Sequence, residues 1–266
     1  MSTVRFRCPH CGLPLDEAER TWWCGSGHQF DRAREGYVNL LVGGRLPGGA
    51  SGDNDEMVRA RREVFDAGCY EPIIAAVART VQSLGARTVL DAGCGEGTYL
   101  ARACAAGAEG CGIDISKAAV RRAAKRYPQQ RWAVASSYRL PFTDGAFDAV
   151  VSVFSPRPHA EFQRVLAPGG AAVVVTPGPS HLRGLAEMLY AEARPHEHDA
   201  DTPEFESVER VQFTVDLYSS VSRRSLLEMT PYWWSATPEQ RERVEQELRS
   251  VEADMVLAVI RRDAEG

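Results

Sequence analysis

The sequence predicts an α/β protein, in which a doubly wound, Rossmann-like sheet follows a small N-terminal zinc-binding module. Three observations support this prediction. Between residues 89 and 176, short apolar runs alternate with helical patterns, which is typical of parallel βαβ units. One of these runs leads directly into a loop of alternating glycines. Near the N-terminus, Cys and His residues recur at the spacing of zinc ligands.

The composition limits the class of protein. With 266 residues, 44% of them hydrophobic and 25% charged, the chain suits one large domain and a small accessory one, and it can bury a core. Its net charge of −5 provides no overall attraction to nucleic acid, so such a partner would need a local basic surface. The start of the chain lacks the apolar stretch of a signal peptide, and the apolar runs are strand-sized. We therefore expect a cytoplasmic protein with reduced thiols and no membrane segment.

The N-terminal module has the pattern C-x2-C, twelve further residues and C-x3-H, formed by Cys8, Cys11, Cys24 and His28. Two ligand pairs on two tight turns are typical of tetrahedral zinc. His10 lies inside the first turn and is expected to point away. The alternative is a hairpin with buried free thiols, but so short a segment needs a metal to fold. Because four protein ligands leave no open position, we expect the zinc to be structural.

A Gly-rich segment over residues 42–52 follows, and it is expected to form a mobile loop, either a plain linker or a functional one. Asp53 or Asp55 is the predicted cap of a helix over residues 56–67. On this helix Arg61 lies among apolar residues, so it needs either an acidic partner or an anionic ligand group.

Two other arginines of this helix, Arg59 and Arg62, project from the opposite face and are expected to be solvated. A second helix is predicted over residues 73–83, after a break at Gly68. The core sheet begins after that helix.

The glycine loop follows the strand predicted over residues 89–93 and precedes a helix. This order directs backbone N–H groups at a ligand. The loop has an acidic residue, Asp91, ahead of it, and Asp114 ends the next strand about twenty positions later. Nucleoside-binding βαβ units place the carboxylate that binds ribose hydroxyls at this point, although Asp114 taken alone could be a solvent-facing strand end. Ser116 is the predicted cap of the helix that follows.

The loop reads G-x-G-x-G through Gly93, Gly95 and Gly97, whereas the third glycine of a dinucleotide fold would fall at Thr98. This pattern favours S-adenosylmethionine over NAD, because no pyrophosphate has to be held. Asp91 can help to bind the ammonium group of that cofactor. The polar-to-apolar segment from Ser136 to Leu140, after the third strand, can hold its adenine edge.

The rest of the sheet is predicted from runs at residues 132–135, 146–154, 171–176, 211–217 and 255–260, with helices at 160–166 and 238–249. Ser152, Ser155 and Arg157 accompany the end of the fourth strand, where a target group should lie, and Asp148 is expected to be structural.

Four aromatic residues are either stacking surfaces or core residues, namely Phe154, Tyr232, Trp233 and Trp234. The segment Pro195–Asp199 resembles a metal cluster but is predicted to be a surface loop. No catalytic residue is assigned from the sequence.

The residues quoted so far resemble a known family. Asp91–Gly97 with Asp114 is similar to class I S-adenosylmethionine-dependent methyltransferases. The N-terminal pattern joined to Glu35–Leu41 resembles the RlmA family of 23S rRNA guanine-N1 methyltransferases. Further matching blocks span nearly the whole chain in order, at Ala60–Arg62, Gly68–Tyr70, Arg139–Phe142, Thr176–Leu182 and Met229–Pro231.

This resemblance implies methylation of N1 of one guanine (748 or 745) in hairpin 35 of 23S rRNA, with the zinc module helping to recognise the RNA. It also implies a homodimer whose paired modules form a local basic cleft, and resistance to tylosin-type macrolides in the Gram-positive branch. In the family, the residues equivalent to Tyr70, the glycine loop through Thr98 and His181 line the cofactor site.

The expected domains are a zinc-binding, RNA-recognition module over residues 1–35, a Gly-rich linker with helices over 36–84, and a methyltransferase domain over 85–266. Two alternatives stay open at this point. One is a small-molecule methyltransferase with a zinc-stabilised lid. The other is an inactive zinc-ribbon RNA-binding protein, although the intact glycines and Asp114 argue against it.

Overall fold

A computed structural model of the chain describes residues 4–42, 52–190, 207–217 and 223–262. Its strands are β1 Leu15–Glu17, β2 Thr21–Cys24, β3 Gln29–Asp31, β4 Tyr37–Asn39, β5 Thr88–Ala92, β6 Glu109–Asp114, β7 Arg131–Val134, β8 Phe147–Val153, β9 Leu166–Pro177, β10 Ser207–Asp216 and β11 Ser250–Arg261. Its α-helices are α1 Asp55–Asp66, α2 Glu71–Ser83, α3 Thr98–Ala103, α4 Lys117–Arg126, α5 His159–Val165, α6 Arg183–Leu189, α7 Arg223–Glu228, α8 Tyr232–Ser235 and α9 Pro238–Glu247.

Eight strands form the central sheet in the order β10–β11–β9–β8–β5–β6–β7–β4. The six strands from β9 to β4 are parallel, and the chain reverses its direction of winding between β5 and β8. This arrangement confirms the doubly wound sheet. The edge formed by β11 and β10 is antiparallel, so the sheet is mixed. Both strands are predicted from the sequence, the first of them by its alternation, but the pattern contains no information about their direction.

The strand β4 was not predicted, because three residues are too few for a recognisable pattern. It exists through its pairing with β7, which aligns Tyr37 with Trp132 and Asn39 with Val134. The strand therefore joins the end of the zinc-binding module to the edge of the central sheet.

Local signals explain where the helices begin. Ser116 caps α4, as predicted, because its hydroxyl accepts the backbone N–H of Ala119 at 3.1 Å. The prediction that Asp53 or Asp55 caps α1 is wrong. Asn54 is the cap, and its Oδ1 accepts the backbone N–H of Met57 at 2.9 Å.

Apolar clusters cover both faces of the sheet. The helices α1 to α4 contribute to the cluster on one face, and the N-terminal module packs with α5 on the other. Phe6 joins the module to the sheet, since its ring lies 5.0 Å from that of Trp22 and 4.5 Å from that of Phe142. Arg131 on β7 donates to the backbone carbonyl of Val4 at 2.8 Å and also binds Glu17. The module is thus packed against the large domain.

Two predicted features lie outside the described residues: most of the Gly-rich loop and the segment Pro195–Asp199. Within the described ranges, no helix is both long enough and apolar enough to span a bilayer.

Candidate functional site

A cavity of about 710 Å³ lies at the carboxyl-terminal ends of the parallel strands. Segments after β5, β6, β7, β8 and β9 line it, together with α1 and the turn before α8. In open α/β sheets ligands bind at this edge, and this volume is within the usual range for a small-molecule site. The predicted site residues that line it are Tyr70, Gly93, Gly95, Thr98, Asp114, Ser136 and His181.

The three loop glycines all have positive φ angles, of 93°, 54° and 90°, but they serve different purposes. A β-carbon on Gly93 would lie 2.4 Å from Cβ of Ser155, and one on Gly97 would lie 2.6 Å from the indole of Trp132. At Gly95 the nearest atom would be Nη1 of Arg61, at 3.4 Å. Close packing therefore requires glycine at positions 93 and 97. At position 95 the absence of a side chain instead leaves space in the cavity next to Arg61. Gly97 itself does not line the cavity.

Asp114 ends β6 inside the cavity. Its carboxylate accepts the backbone N–H of Gly95 at 2.9 Å and that of Ser116 at 2.7 Å. Burial raises the pKa of Asp114, and these two hydrogen bonds oppose the increase. The carboxylate is thus fixed beside the loop, and it is not the solvent-facing strand end of the alternative interpretation.

Asp91 is 1% exposed and does not line the cavity. Its Oδ2 has no hydrogen-bond partner among the described residues, and neither has the buried hydroxyl of Tyr99. Burial and, next in size, the negative charge of Asp114 together raise the pKa of Asp91 to about 8. A buried acid with a free oxygen, two residues before Gly93, fits a ligand that brings a cationic donor.

Glu96 is a third acid of the site, and nothing in the sequence pattern indicated it. Its buried carboxylate accepts Nη1 of Arg62 at 3.0 Å and also binds the Thr98 hydroxyl. The prediction that Arg62 is solvated is therefore wrong, because its ion pair with Glu96 links α1 to the glycine loop. Arg59 is half-exposed and lies 3.5 Å from Glu228.

Arg61 has one of the two kinds of partner expected for it, an acidic side chain. Its guanidinium pairs with the carboxylate of Asp53, just before α1, and the side chain lines the cavity. The backbone carbonyl of Asp53 accepts the hydroxyl of Ser116. The residues before α1 are thereby held next to the end of β6.

The turn after β9 brings His181 to the cavity. Its Nδ1 accepts the backbone N–H of Asp254 at 3.3 Å, which assigns the remaining ring proton of a neutral imidazole to Nε2. The carboxylate of Asp254 is buried, pairs with Arg210 at 2.8 Å and accepts the N–H of Ser180 at 2.9 Å. A β-carbon on Gly178 would lie 2.5 Å from this carboxylate. The Asp254 carboxylate thus explains why the turn has glycine at position 178, and the backbone of Asp254 holds His181 in place.

The end of β8 forms another wall. Ser152 is buried, and its hydroxyl lies 2.9 Å from that of Ser155, which donates to the backbone carbonyl of Ala92 at 2.6 Å. Phe154 has a φ of 50°, which is unusual for a bulky residue, and it is 46% exposed. Its ring lies 5.3 Å from that of His181. An exposed aromatic ring is thus held at the cavity in a strained conformation.

Other predicted residues have structural positions. The carboxylate of Asp148 accepts the backbone N–H groups of Arg87 and Thr88 at 2.8 and 3.0 Å. Leu140 does not line the cavity; it is buried on the opposite face, and its N–H donates to Glu161 at 2.6 Å.

The three aromatic residues of α8 have different environments. Tyr232 lines the cavity. Trp233 packs against the core, with the guanidinium of Arg241 4.2 Å from its ring, and Trp234 is exposed. The core interpretation therefore fits Trp233 and not Trp234.

The N-terminal module brings the four predicted zinc ligands together. The ligand atoms of Cys8, Cys11, Cys24 and His28 lie within 4.8 Å of one another. His28 Nδ1 is 3.5 Å from the sulfur of Cys8 and 3.4 Å from that of Cys24, which suits four donors around one tetrahedral ion. His10 is not in the cluster and stacks on His28, with 4.8 Å between the ring centres.

Two family models match the sequence. The model described as "RlmA, N-terminal", a zinc ribbon, covers residues 6–42, and the model described as "Methyltransferase domain" covers residues 89–170. The first match contains the Cys and His cluster, and the second contains the glycine loop and Asp114.

Whole sequences give a longer match. The 23S rRNA (guanine(748)-N(1))-methyltransferase of Streptomyces fradiae is 40% identical, and the alignment covers 94% of this chain and 93% of that protein. The Bacillus subtilis protein YxjB is 35% identical over 93% of each chain. Among solved structures, the YcgJ protein of Bacillus has a TM-score of 0.50 at 18% identity and covers 72% of this chain and 99% of that one. That likeness supports the fold alone.

Proposed function

Since the chain belongs to the RlmA family of 23S rRNA (guanine-N1)-methyltransferases, we propose that it transfers a methyl group from S-adenosylmethionine to N1 of a guanine in hairpin 35 of 23S rRNA. One observation carries the proposal. The sequence match covers nearly the whole chain, and it includes the residues of the zinc cluster and those of the glycine loop that lines the cavity. The zinc ion is structural, because four protein ligands fill a tetrahedral shell.

The cavity provides for each part of the cofactor. Asp114 lies where ribose hydroxyls can donate to its carboxylate, and Ser136 lies beyond it, where the adenine would be held. Asp91 does not line the cavity, but its free Oδ2 lies directly before the glycine loop in the chain and can bind the ammonium group of the methionine moiety directly or through water. When bound, the sulfonium group supplies an electrophilic methyl group.

The chain contributes mainly positioning to the reaction. Guanine N1 carries a proton, and its pairing edge is hidden in a duplex, so the base must be presented from a loop or flipped out. The exposed ring of Phe154 is suited to stack on that base, next to His181. The hydroxyl proton of Ser155 is engaged by a backbone carbonyl, and Nδ1 of His181 is engaged by a backbone N–H. We therefore assign these two side chains to positioning rather than to proton abstraction, and holding the nucleophile in line with the methyl group can supply much of the rate.

The decisive experiment is transfer of a tritiated methyl group to unmodified 23S rRNA, with the labelled nucleoside identified. The expected product is 1-methylguanosine, and primer extension on the same RNA should stop at guanine 748 or 745. An Asp114→Asn variant, which changes the predicted ribose ligand, serves as the control for cofactor-dependent transfer. Label on a metabolite alone would indicate a small-molecule methyltransferase, and RNA binding without label would indicate an inactive RNA-binding protein.

Three finer statements belong to the same proposal: the protein is a cytoplasmic homodimer, its paired zinc modules form the RNA-binding cleft, and the methylated ribosome resists tylosin-type macrolides. They are supported by family membership. Light scattering of the purified protein tests the dimer, and a monomer at micromolar concentration would contradict it. Expression in a tylosin-sensitive bacterium tests resistance, with the Asp114→Asn variant as the matched control.

A further inference from the structure

Arg61 is a charged residue on the buried side of α1. This helix buries Val58, Ala60 and Val64 against the domain. The side chain of Arg61 is 26% exposed, whereas that of Arg59, two positions earlier on the same helix, is 55% exposed. A guanidinium placed this deep needs partners that offset its loss of hydration.

The surroundings of Arg61 are those of the glycine loop. Its Nη1 lies 3.4 Å from the position of a β-carbon on Gly95, the loop glycine that faces the cavity. Burial raises the pKa values of Tyr70 and Asp114, and the positive charge of Arg61 opposes both increases. The guanidinium therefore lies next to the glycine loop and is close enough to Tyr70 and Asp114 to affect their pKa values.

We propose that Arg61 binds the α-carboxylate of the methionine moiety of S-adenosylmethionine, and that this carboxylate replaces Asp53 as its partner. The inference rests on the proposed cofactor. In the structure described here, Asp53 holds the guanidinium at the cavity wall. A guanidinium can move from one carboxylate to another without losing its hydrogen-bond geometry, because both offer two acceptor oxygens.

The charges around the loop make a cation necessary for this ligand. Three acids lie on or beside the loop: Asp91 and Glu96 are buried, and Asp114 is partly exposed at the end of β6. An amino-acid moiety placed there gains from its ammonium group, but its carboxylate is repelled unless a cation is close. Arg62 is engaged by Glu96, which leaves Arg61 as the arginine of α1 that lines the cavity.

The position of Arg61 also favours a small ligand over an RNA phosphate. The phosphates of a structured RNA approach a protein surface, whereas the Arg61 side chain lines the cavity and is about three-quarters buried. The other arginine lining the cavity, Arg157, follows β8 on the wall assigned to the target base.

Calorimetric binding of two ligands to wild-type and Arg61→Met proteins tests the proposal. The ligands are S-adenosylhomocysteine and its decarboxylated form, which keeps the amine and lacks only the carboxylate. The substitution should weaken S-adenosylhomocysteine roughly ten- to a hundredfold, the usual effect of losing a charged hydrogen-bonded pair. The decarboxylated ligand should bind both proteins within about twofold of each other.

A conservative variant and a control variant complete the comparison. Arg61→Lys keeps the charge without the paired donors and should produce an intermediate loss, for the first ligand alone. Arg59→Met, on the same helix, should leave both affinities unchanged. An equal loss for both ligands, or no loss for S-adenosylhomocysteine, would overturn the assignment. Failure of the wild-type protein to bind S-adenosylhomocysteine would instead overturn the proposed function.

Discussion

Asp91 should make the ligand-free protein less stable as the pH rises, and an Asp91→Asn substitution should remove this effect. The carboxylate is buried, its Oδ2 has no partner among the described residues, and its pKa is raised to about 8 by burial and by Asp114. Asparagine has nearly the same shape, and its side-chain oxygen can still accept the backbone N–H of Leu100, which bonds to the native carboxylate. The substitution therefore removes the ionisation with little change in packing.

The magnitude follows from the difference between the folded and unfolded pKa values. In the unfolded chain Asp91 titrates near its ordinary value of 3.8, and in the folded protein near 8. Between these values the folded state retains a proton that the unfolded state has lost, so the free energy of unfolding falls by about 1.4 kcal/mol per pH unit. The stabilising contribution is complete below pH 3.8 and is lost as the pH rises through 8. From pH 3.8 to pH 7, an interval of 3.2 units, the loss is about 4 kcal/mol at most.

Urea unfolding of both proteins at several pH values between 5 and 8 measures the effect. The stability of Asp91→Asn minus that of the wild type should increase by up to about 3 kcal/mol between pH 5 and pH 7. The zinc ligands are common to both proteins, so their titration cancels in the difference. Asp16→Asn, at an exposed position on β1, is the control for replacing an aspartate by an asparagine where the carboxylate is not buried. A difference that stays constant with pH, or a variant less stable than the wild type at pH 7, would refute the reasoning.

Four further predictions follow from the site. Removal of zinc by chelation or by Cys11→Ser should abolish rRNA methylation but leave calorimetric S-adenosylhomocysteine affinity within about twofold, because the described lining of the cavity lies outside the module; a large loss of affinity would contradict this. In urea unfolding, Gly97→Ala should cost about 2–4 kcal/mol and Gly95→Ala only about 1 kcal/mol, yet only Gly95→Ala should selectively weaken S-adenosylhomocysteine binding; equal stability losses would count against the packing argument. At pH 7, S-adenosylhomocysteine binding should release about 0.9 of a proton from Asp91, measured calorimetrically in buffers of different ionisation enthalpy, and the Asn variant should release none. Phe154→Ala should slow rRNA methylation roughly ten- to a hundredfold at unchanged S-adenosylhomocysteine affinity, and an equal loss of both would place the ring in the cofactor site.

The features that could be predicted from the sequence are those fixed by local spacing. The glycine loop and Asp114 belong to one βαβ unit, so their separation along the chain determines their separation in space. The four zinc ligands converge for the same reason, because both pairs lie on short turns. Helical periodicity places the charge of Arg61 on an apolar face of its helix but does not show which group that charge meets.

Residues that depend on distant parts of the chain could not be placed in this way. Gly97 matches a cofactor pattern, but the structure requires glycine there because of Trp132, on another strand. Arg62 occupies the polar side of an isolated helix, and only the folded chain brings the buried Glu96 to it. The position of Leu140 after a strand predicts contact with the adenine, yet its side chain is buried on the opposite face of the sheet.

The docking of the zinc module is another long-range property. Phe6 and Phe142 are about half the chain apart in the sequence, and a ring pair of this kind has no sequence signature. Burying Phe6 between two other rings fixes the module on the face of the sheet opposite α1 to α4. We infer that the module cannot rotate freely relative to the cavity, so a bound RNA would meet both surfaces in one geometry.

The ligand-free site contains charges that the fold itself does not balance well. Asp91 lacks a cationic partner and is therefore largely protonated at pH 7, with a pKa of about 8, and Arg61 is paired with the carboxylate of Asp53, just before α1. A ligand with an amino-acid end would supply an ammonium group to Asp91 and the carboxylate that we propose as the partner of Arg61. Its binding would thus relieve the destabilisation by Asp91 and release Asp53, so the gain in stability would exceed that expected from buried apolar area alone. This balance explains why a stable core can tolerate a buried unpaired acid: the cost falls on the empty site and is recovered when the site is filled.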